Sequence, residues 1–547
     1  MAKSGAQLLV DVLAAQGVAR VFCVPGESYL AVLDALYAAR DAIETIVCRH
    51  EAGAANMAEA AGKLTGRPGI CFVTRGPGAT HAAIGVHTAR QDSTPMILFV
   101  GQVARGDKHR EAFQELDYSA VFGSIAKWAV EIEDAARIPE FVERAFATAM
   151  QGRMGPVVIA LPEDMLSDAV EAAPGARVEP ARSAPSEAFL RDAQLLLASA
   201  EKPVLIVGGS GWDAAGRAAL ERFAANADLP VVASFRRKDL LDNEHPNFAG
   251  DLGLGPNPKL IARIKEADLV LAVGARLGEN PSQGYTLFTR AETAAKLVHV
   301  HPCAEEVGRV WPARAGACAD SGLAMAALAQ LPVAPRWGVW RQAAREEYEA
   351  FSAPVAVGGA VNLSEIVAHL SAALPADAII ANGAGNFAAW LHRFHKHRAW
   401  PTQLAPTSGA MGYGFPAAIA AKLTHPDRTV ICFAGDGDFM MTANEMATIA
   451  RHKVGVVTIV IDNSSYGTIR MHQEREFPAR VHATDLVNPD FVAFANAFGV
   501  WGVKVARTAD FAPALREACA RAPALIHVIA DVENIAPGRT ISALRGG

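Results

Sequence analysis

The sequence predicts an α/β protein of three domains, each a parallel β-sheet covered by helices. Short apolar strands alternate with helical patterns along the 547 residues, and at roughly 150 residues per domain this length allows three or four domains. Two proline-bearing passages without periodicity interrupt the alternation. We therefore predict a first domain over 1–170, a central domain over 189–335 and a third over 362–547.

Composition excludes several classes of function. The formal net charge is −6, so no basic surface for nucleic acid is expected. No apolar run approaches the ~18 residues that span a bilayer, so we expect no membrane association. The seven cysteines are scattered and never form a Cys-x-x-Cys pair. This usage is typical of core thiols in a reducing, cytoplasmic protein.

In the first domain, polar or glycine-rich turns follow the predicted strands. We predict strands over 21–24, 43–48, 69–74 and 96–100, and a small-residue helix over 52–64. Parallel strands end at the same edge of a sheet, so groups such as Pro25-Gly26, Glu51 and Arg75 are expected there. By position alone, Glu51 at a helix N-terminus is typical of a surface carboxylate favoured by the helix dipole.

The central domain follows a proline-bearing linker over 170–188. Its predicted strands include 229–234, 269–273 and 297–300. After an apolar strand, Gly209 to Ala214 form a loose G-x-G-x-x-A pattern, which alone is a weak signal for a dinucleotide. We expect a Rossmann-like domain and keep a dinucleotide-dependent oxidoreductase as an alternative.

The third domain contains the strongest site signal, between Val430 and Gly467. An apolar strand ends in Gly435-Asp436-Gly437, a helix follows, and a second strand ends near Asn463. In parallel strands Asp436 and Asn463 can converge, and their oxygens suit Mg²⁺. The two glycines allow a phosphate to approach the backbone, and the helix after Asp438 points its N-terminus there. The alternative is an ordinary β-α-β unit.

Two further turns and one repeat complete the third domain. Residues 382–387 form a glycine-bearing turn after a strand over 378–381, a possible phosphate site. Residues 406–416 surround Met411, which could simply fill the core. The segment AGKLTGRPGICFVTRGPG (61–78) lines up with AAKLTHPDRTVICFAGDG (420–437), which has two residues more between Lys-Leu-Thr and Ile-Cys-Phe. The first and third domains should therefore share one plan. The alternative is a chance match of apolar strands.

These motifs resemble the thiamine diphosphate (ThDP)-dependent superfamily of acetolactate synthases, pyruvate oxidases and benzoylformate decarboxylases. The resemblance rests on the Gly-Asp-Gly turn with Asn463 and on RHEAGAANMAEAAGKLTG around Glu51, and it covers nearly the whole chain. It implies a first domain that binds the aminopyrimidine ring and a third that binds the diphosphate. The active sites would lie between subunits of a homodimer or homotetramer.

The resemblance also implies roles for individual residues. Asp436, Asn463 and the carbonyl of Ser465 would hold Mg²⁺. Glu51 would hydrogen-bond the pyrimidine N1′ and promote the imino tautomer that removes the C2 proton. The Gly409 carbonyl would accept a hydrogen bond from the 4′-amino group, and Met411 would impose the bent cofactor conformation. The remaining implied cofactor contacts are Pro25, Gly26, Gly385, Asn386, Phe387, Gly435, Gly437 and Asp438, with Phe387 standing where relatives often have histidine.

On the substrate side, Gln102, Phe113 and Gln114 resemble residues of acetolactate synthases, with Gln114 expected to be catalytic. The alternative is a polar loop with one buried aromatic. Arg75 departs from the family, and it could bind a substrate carboxylate or form a supporting ion pair.

Two further departures bear on the acceptor and on flavin. His472 stands where acetolactate synthases carry a tryptophan that shapes acceptor choice. His301 and Cys303 replace aspartates of flavin-binding relatives, so FAD is not expected.

The resemblance implies a ThDP- and Mg²⁺-dependent enzyme that decarboxylates a 2-oxo acid and passes the enamine to a carbonyl acceptor. A simple decarboxylase that releases an aldehyde is the main alternative. A non-catalytic relative is disfavoured because Glu51, Asp436 and Asn463 are all present.

Overall fold

A computed structural model describes residues 2–546 of the chain, so the predicted domain limits at Met1 and Gly547 lie outside the described range. The predicted class is confirmed, because three parallel six-stranded sheets carry helices on their faces. The apolar strands are buried almost throughout, as parallel strands covered on both faces must be.

The first sheet has the strand order β3-β2-β4-β5-β7-β6, and neighbouring strands pair in parallel. A separate antiparallel pair joins β1 to β8. The strands are β1 Lys3–Ser4, β2 Arg20–Cys23, β3 Glu44–Val47, β4 Gly69–Val73, β5 Met96–Gln102, β6 Trp128–Glu131, β7 Pro156–Pro162 and β8 Ala169–Val170. The helices are α1 Gly5–Ala15, α2 Leu30–Ala38, α3 Glu51–Thr65, α4 Gly76–Asp92, α5 Tyr118–Phe122 and α6 Ile138–Met150.

The central sheet has the order β11-β10-β9-β12-β13-β14. This is the doubly wound order of a Rossmann domain, so that prediction is confirmed. The strands are β9 Pro203–Val207, β10 Val231–Ser234, β11 Phe248–Leu252, β12 Leu269–Val273, β13 Leu297–His301 and β14 Ala315–Cys318. The helices are α7 Glu187–Ser199, α8 Ala214–Ala227, α9 Pro258–Glu266, α10 Arg290–Lys296, α11 Ser321–Leu328 and α12 Gly338–Ser352.

The third sheet has the order β16-β15-β17-β18-β20-β19. The strands are β15 Ile379–Asn382, β16 Gln403–Leu404, β17 Val430–Gly435, β18 Val457–Asp462, β19 Trp501–Val505 and β20 Ala524–Ile529. The helices are α13 Leu363–Ala373, α14 Asn386–Phe394, α15 Gly414–Thr424, α16 Asp436–Met440, α17 Met446–His452, α18 Gly467–Glu476, α19 Phe491–Ala497, α20 Phe511–Arg521 and α21 Ile541–Gly546.

The first and third sheets have the same topology. Taken in chain order within each domain, both sheets read second, first, third, fourth, sixth, fifth strand. The sequence repeat therefore marks equivalent places, because β4 and β17 occupy the same position and each leads into a helix. The shared plan of these two domains is confirmed.

The first and third domains also share one hydrophobic core. Buried side chains of α3 and α15 belong to a single apolar cluster with both sheets. The helices of this core approach closely because α3 is built from small residues. A Cβ added at Gly85 of α4 would lie 2.4 Å from the Cβ of Ala55 in α3, so glycine is required there.

One predicted element is different in the structure. The single helix expected after the Gly-Asp-Gly turn is broken into α16, a 3₁₀ turn over Ala443–Glu445 and α17. Tertiary contacts explain the break, because the Thr442 hydroxyl donates to the carbonyl of Gly412 at 2.9 Å. The Glu445 side chain is fully buried against the first domain.

The described residues include no helix that is both long and apolar enough to cross a membrane. All seven cysteines are free, and those of β2, β4 and β17 are buried as predicted.

Candidate active site

A cavity of about 360 Å³ lies where the third domain faces the central domain. Its walls are formed by the turns after β15, β17 and β18 and by the loop over 409–411. The central domain contributes the segments after β10 and β11. The predicted site residues that line it are Gly385, Asn386, Phe387, Gly409, Met411, Gly435, Asp436, Gly437, Asp438, Asn463 and Ser465.

The three predicted metal ligands lie together on one wall of this cavity. Asp436 follows β17 and Asn463 follows the adjacent parallel strand β18, so both strands end at the same edge. The Asn463 Oδ1 atom accepts a hydrogen bond from the Ser465 amide at 3.2 Å, which fixes this turn. Burial raises the pKa of Asp436 to about 6.

Three residues that the sequence did not single out hold Asp436 in place. The Asn488 amide donates to Asp436 Oδ2 at 2.7 Å and to Asp462 Oδ1 at 2.9 Å. His527 Nε2 donates to the other Asp462 oxygen at 2.8 Å. Burial opposes ionisation of Asp462, but hydrogen bonds from His527 and Ser464 hold its pKa below the ordinary value. The side-chain amide of Asn488 therefore links Asp436 to the ionised carboxylate of Asp462.

Asp438 connects the glycine turns of the third domain. Its Oδ1 atom accepts hydrogen bonds from the amides of Gly412 at 2.8 Å and Ala384 at 3.2 Å. A Cβ at Gly383 would lie 2.0 Å from this oxygen, so the turn needs glycine. Burial raises the pKa of Asp438 to about 7. The carboxylate lines the cavity, and its hydrogen bonds fix the turns on either side of it.

The turn after β15 brings glycine backbone to the cavity wall. The Phe387 ring covers this turn, since a Cβ at Gly435 would lie 2.6 Å from its edge. The Asn386 amide donates to the carbonyl of Ile535 at 3.0 Å, and Asn386 Oδ1 accepts from Thr468 at 3.0 Å. The Asn386 side chain therefore joins three segments, so contact of this turn with a phosphate would come from backbone amides.

The loop before α15 presents Gly409 and Met411 to the cavity. Gly409 has φ +70° and a Cβ there would meet no atom within 4 Å. Its backbone conformation, and not crowding, therefore favours glycine. The loop is fixed from the first domain by Asp92, whose Oδ1 accepts the Thr407 amide at 2.6 Å.

The residues of this wall fit ThDP and Mg²⁺. Asp436, Asn463 and the Ser465 carbonyl supply a carboxylate, an amide oxygen and a backbone oxygen, the hard donors that Mg²⁺ prefers. Neighbouring side chains leave no room for a Cβ at either glycine of the turn. A Cβ at Gly435 would lie 2.6 Å from Phe387, and one at Gly437 would lie 2.7 Å from Tyr466. These positions therefore keep bare backbone beside the donors, as diphosphate binding requires.

Glu51 lies in a second cluster, at the carboxyl edge of the first sheet. It begins α3, and its Oε2 atom accepts a hydrogen bond from His81 Nδ1 at 2.9 Å. The His81 and His50 rings lie 4.5 Å apart. A Cβ at Gly78 would lie 3.4 Å from Glu51, and one at Gly26 would lie 2.5 Å from Thr74. Pro25 precedes Gly26 on the same edge, where it is exposed.

Among residues 2–546, no side chain of the first domain lines the cavity of the third. Glu51 therefore lies outside the cavity that Asp436 lines within one chain. The residues of the proposed active site form two separate half-sites within the chain.

Glu445 fixes the segment that leads into Glu51. Its Oε1 atom accepts the amides of His50 at 3.0 Å and Arg49 at 3.2 Å. A Cβ at Gly53 would lie 2.3 Å from the same oxygen, so the first turn of α3 needs glycine there. Burial raises the pKa of Glu445. A third-domain carboxylate thus sets the start of the helix that carries Glu51.

The predicted substrate-side residues have different environments. The buried Gln102 amide donates to the carbonyl of Leu116 at 3.0 Å. The Gln114 carbonyl accepts the Gly76 amide at 3.0 Å, and Phe113 is 72% exposed. The alternative of a polar loop with one buried aromatic therefore does not hold for Phe113 within one chain. Arg75 forms an ion pair with Glu163, and its role in binding a substrate carboxylate stays a prediction.

The structure places the two histidines that depart from the family pattern, His472 and His301, in different surroundings. The His472 ring lies on α18 beside Arg475, 3.0 Å from its guanidinium. Ile469 of the same helix lines the cavity, and His472 does not. His301 is buried, and its Nδ1 atom accepts the Cys303 amide at 3.1 Å. The roles of His472 and of the flavin departures stay predictions.

The fold and the third-domain cavity with Asp436, Asn463 and Ser465 define a class of protein. Family models match the chain in three places: the N-terminal TPP binding domain of thiamine pyrophosphate enzymes over residues 3–121, their central domain over 190–328 and their C-terminal TPP binding domain over 383–528. The chain belongs to the thiamine pyrophosphate enzymes.

Comparison with full-length relatives shows which members of the family the chain is similar to. The chain is 32% identical to the acetolactate synthase large subunit of Parasynechococcus marenigrum, over 92% of this chain and 83% of that protein. It is 31% identical to the isozyme 2 large subunit of Escherichia coli, over 98% and 97%. The Bacillus subtilis acetolactate synthase is 29% identical, over 97% and 94%. Within its family, the chain is therefore a relative of the acetolactate synthases.

Proposed function

We propose that the protein is a ThDP- and Mg²⁺-dependent carboligase that decarboxylates a 2-oxo acid and joins the remaining fragment to a carbonyl acceptor. The observation that carries this proposal is the meeting of Asp436, Asn463 and Ser465 with glycine backbone on one cavity wall. The family match over all three domains supports it.

When bound, ThDP supplies an acidic carbon that adds to a ketone and accepts the electron pair released with CO₂. Glu51 would be the acid-base group, oriented by His81 at 2.9 Å. Asp436, Asn463 and Ser465 would hold Mg²⁺. Met411, Leu254 and Ile469 supply apolar surface in the cavity, and excluding water there would keep the fragment available for the acceptor.

The complete site would form between two copies of the chain, as a homodimer or homotetramer. The support is the separation of the half-sites, since the first domain lines none of the described cavity. Exposed apolar side chains at both half-sites also support it, with Phe113 at 72%, Ile469 at 54% and Met441 at 53% exposure. The free cysteines favour a cytoplasmic location.

A screen of 2-oxo acids tests the proposal. Purified protein with ThDP and Mg²⁺ is incubated with single 2-oxo acids, with and without aldehyde or 2-oxo acid acceptors, and CO₂ and products are measured. We expect CO₂ release that needs both cofactors and an acyloin-type product when the acceptor is present. An aldehyde as sole product would favour the simple decarboxylase, and no CO₂ from any 2-oxo acid would reject both.

A further inference from the structure

Arg236 of the central domain lines the same cavity as the metal ligands. It follows β10 and is only 4% exposed. Its backbone has φ +59°, the left-handed region that an L-residue with a long side chain rarely occupies. Such strained residues cluster at ligand sites, where the surrounding structure holds them in place.

The guanidinium of Arg236 makes no hydrogen bond to a carboxylate in the described range of the chain. Its Nη1 atom donates to the carbonyl of Pro406, and its Nε atom is buried without a hydrogen-bond partner. Another buried arginine of this domain does have a carboxylate partner. Arg263 donates to both Glu347 oxygens, at 2.8 and 3.0 Å. The carboxylates of Asp92 and Asp438 lie near enough to act on the charge of Arg236, but neither accepts a hydrogen bond from it. Arg236 thus has binding capacity that the described residues do not use.

The four carboxylates that line this cavity interact with other groups, and Asp531 accepts the Glu533 amide at 2.9 Å. Asp438 accepts two backbone amides. Asp251 lies near Lys238, and burial raises the pKa of its carboxyl. Asp436 is held by Asn488. None of these carboxylates forms a hydrogen bond with Arg236 in the described range of the chain.

His392 adds a second unpartnered donor to the cavity wall. Gln403 Oε1 accepts the Lys238 amide at 2.8 Å, so the Gln403 amide nitrogen faces His392 Nδ1, at 3.2 Å. Nδ1 must then be the acceptor, which places the imidazole proton on Nε2. That Nε2 atom is buried and has no partner. The cation of Arg236 and the N–H of His392 line one cavity.

We propose that Arg236, assisted by His392, binds a carboxylate that the substrate keeps throughout the reaction. This inference rests on the proposed function. The bound carboxylate is not the one lost as CO₂, because an ion pair with the leaving group would stabilise the ground state more than the transition state. Two sources remain: the distal carboxylate of a dicarboxylic 2-oxo acid, or the carboxylate of a 2-oxo acid that serves as acceptor.

Substrate pairs that differ only in the carboxylate test this assignment. With the holoenzyme, pyruvate is compared with acetaldehyde as acceptor, and 2-oxoglutarate with 2-oxopentanoate as donor. For Arg236→Met we expect kcat/KM to fall about 10- to 100-fold for one carboxylate-bearing member, the range for a charged hydrogen bond. The neutral counterpart should change less than twofold. The affected pair identifies the source of the carboxylate.

The control variant is Arg237→Met, since Arg237 is adjacent but absent from the cavity wall; it should change neither member of a pair. Arg236→Lys keeps the charge and should restore part of the loss. Equal losses for charged and neutral substrates, or no loss, would reject the role of Arg236.

A binding measurement separates this inference from the proposed function. Calorimetric titration of the holoenzyme uses oxamate and glutarate, neither of which can be decarboxylated, and ThDP binding is measured alongside. We expect Arg236→Met to bind one of these anions at least tenfold more weakly while it binds ThDP normally. Unchanged anion affinity rejects the inference alone, whereas wild-type protein without ThDP binding or CO₂ release rejects the proposed function. If Arg236→Met does not fold, Arg236→Lys takes its place, with a smaller but still anion-specific loss expected.

Discussion

Glu445 should stabilise the segment that carries Glu51 against local unfolding. Its side chain is fully buried and accepts the amides of Arg49 and His50 and the hydroxyl of Thr448. In Glu445→Ala these donors lose their acceptor. Each hydrogen bond to a charged group contributes about 1.5–3 kcal/mol, so two amide bonds predict a local loss of about 3–6 kcal/mol.

The matched control is Glu445→Gln, which keeps one oxygen in reach of both amides and loses only the charge. We expect it to cost about 1–2 kcal/mol, since neutral hydrogen bonds contribute about 1 kcal/mol. The comparison isolates acceptor loss from the loss of charge, because the two variants differ little in backbone propensity.

Hydrogen exchange followed by mass spectrometry measures this directly on peptides that contain residues 44–53. A local loss of about 3 kcal/mol corresponds to roughly a hundredfold faster exchange of the Arg49 and His50 amides. Exchange in a distant strand such as β12 should stay unchanged. Wild-type exchange rates in Glu445→Ala would refute the reasoning, and so would equal acceleration in Ala and Gln variants.

Three further results are expected. Asp436→Ala should lose Mg²⁺-dependent retention of ThDP and keep its fold, because it removes the only proposed charged ligand; unchanged cofactor affinity by calorimetry would contradict the metal assignment. Glu474 is paired with Arg545 and Arg470, which lower its pKa to about 2, so its contribution to stability is present above about pH 4.5 and is lost as pH falls toward 2. Glu474→Gln should therefore flatten the fall in unfolding midpoint over that range, and an unaltered slope would be inconsistent with the pairing. The purified protein should be colourless and active without FAD, given His301 and Cys303; stoichiometric flavin absorbance would show this expectation to be wrong.

The sequence predicted the parts of the structure that depend on local pattern. Asp436 and Asn463 follow apolar strands, and parallel pairing of adjacent strands places them on one wall. The repeat around 61–78 and 420–437 predicted two sheets of one topology, which the strand orders confirm. These inferences needed only strand ends and periodicity.

Residues that act through distant partners could not be found in this way. The interruption after α16 arises from the contacts of Thr442 and Glu445 with other segments. Asn488 and His527 reach Asp462 from well beyond the motif. Arg236 was not singled out, because nothing in its neighbourhood shows that the guanidinium lacks a partner; only the folded cavity does.

The central claim is that Glu51 is the acid-base group of a ThDP site, and the exchange rate of the cofactor's C2 proton tests it most directly. Glu51→Gln should retain ThDP and Mg²⁺, since none of the proposed ligands depends on its charge. Quenched-flow NMR should then show exchange slowed by roughly 10²- to 10⁴-fold, with turnover lowered to match. Wild-type exchange and turnover in a Glu51→Gln protein that still binds ThDP would contradict the account.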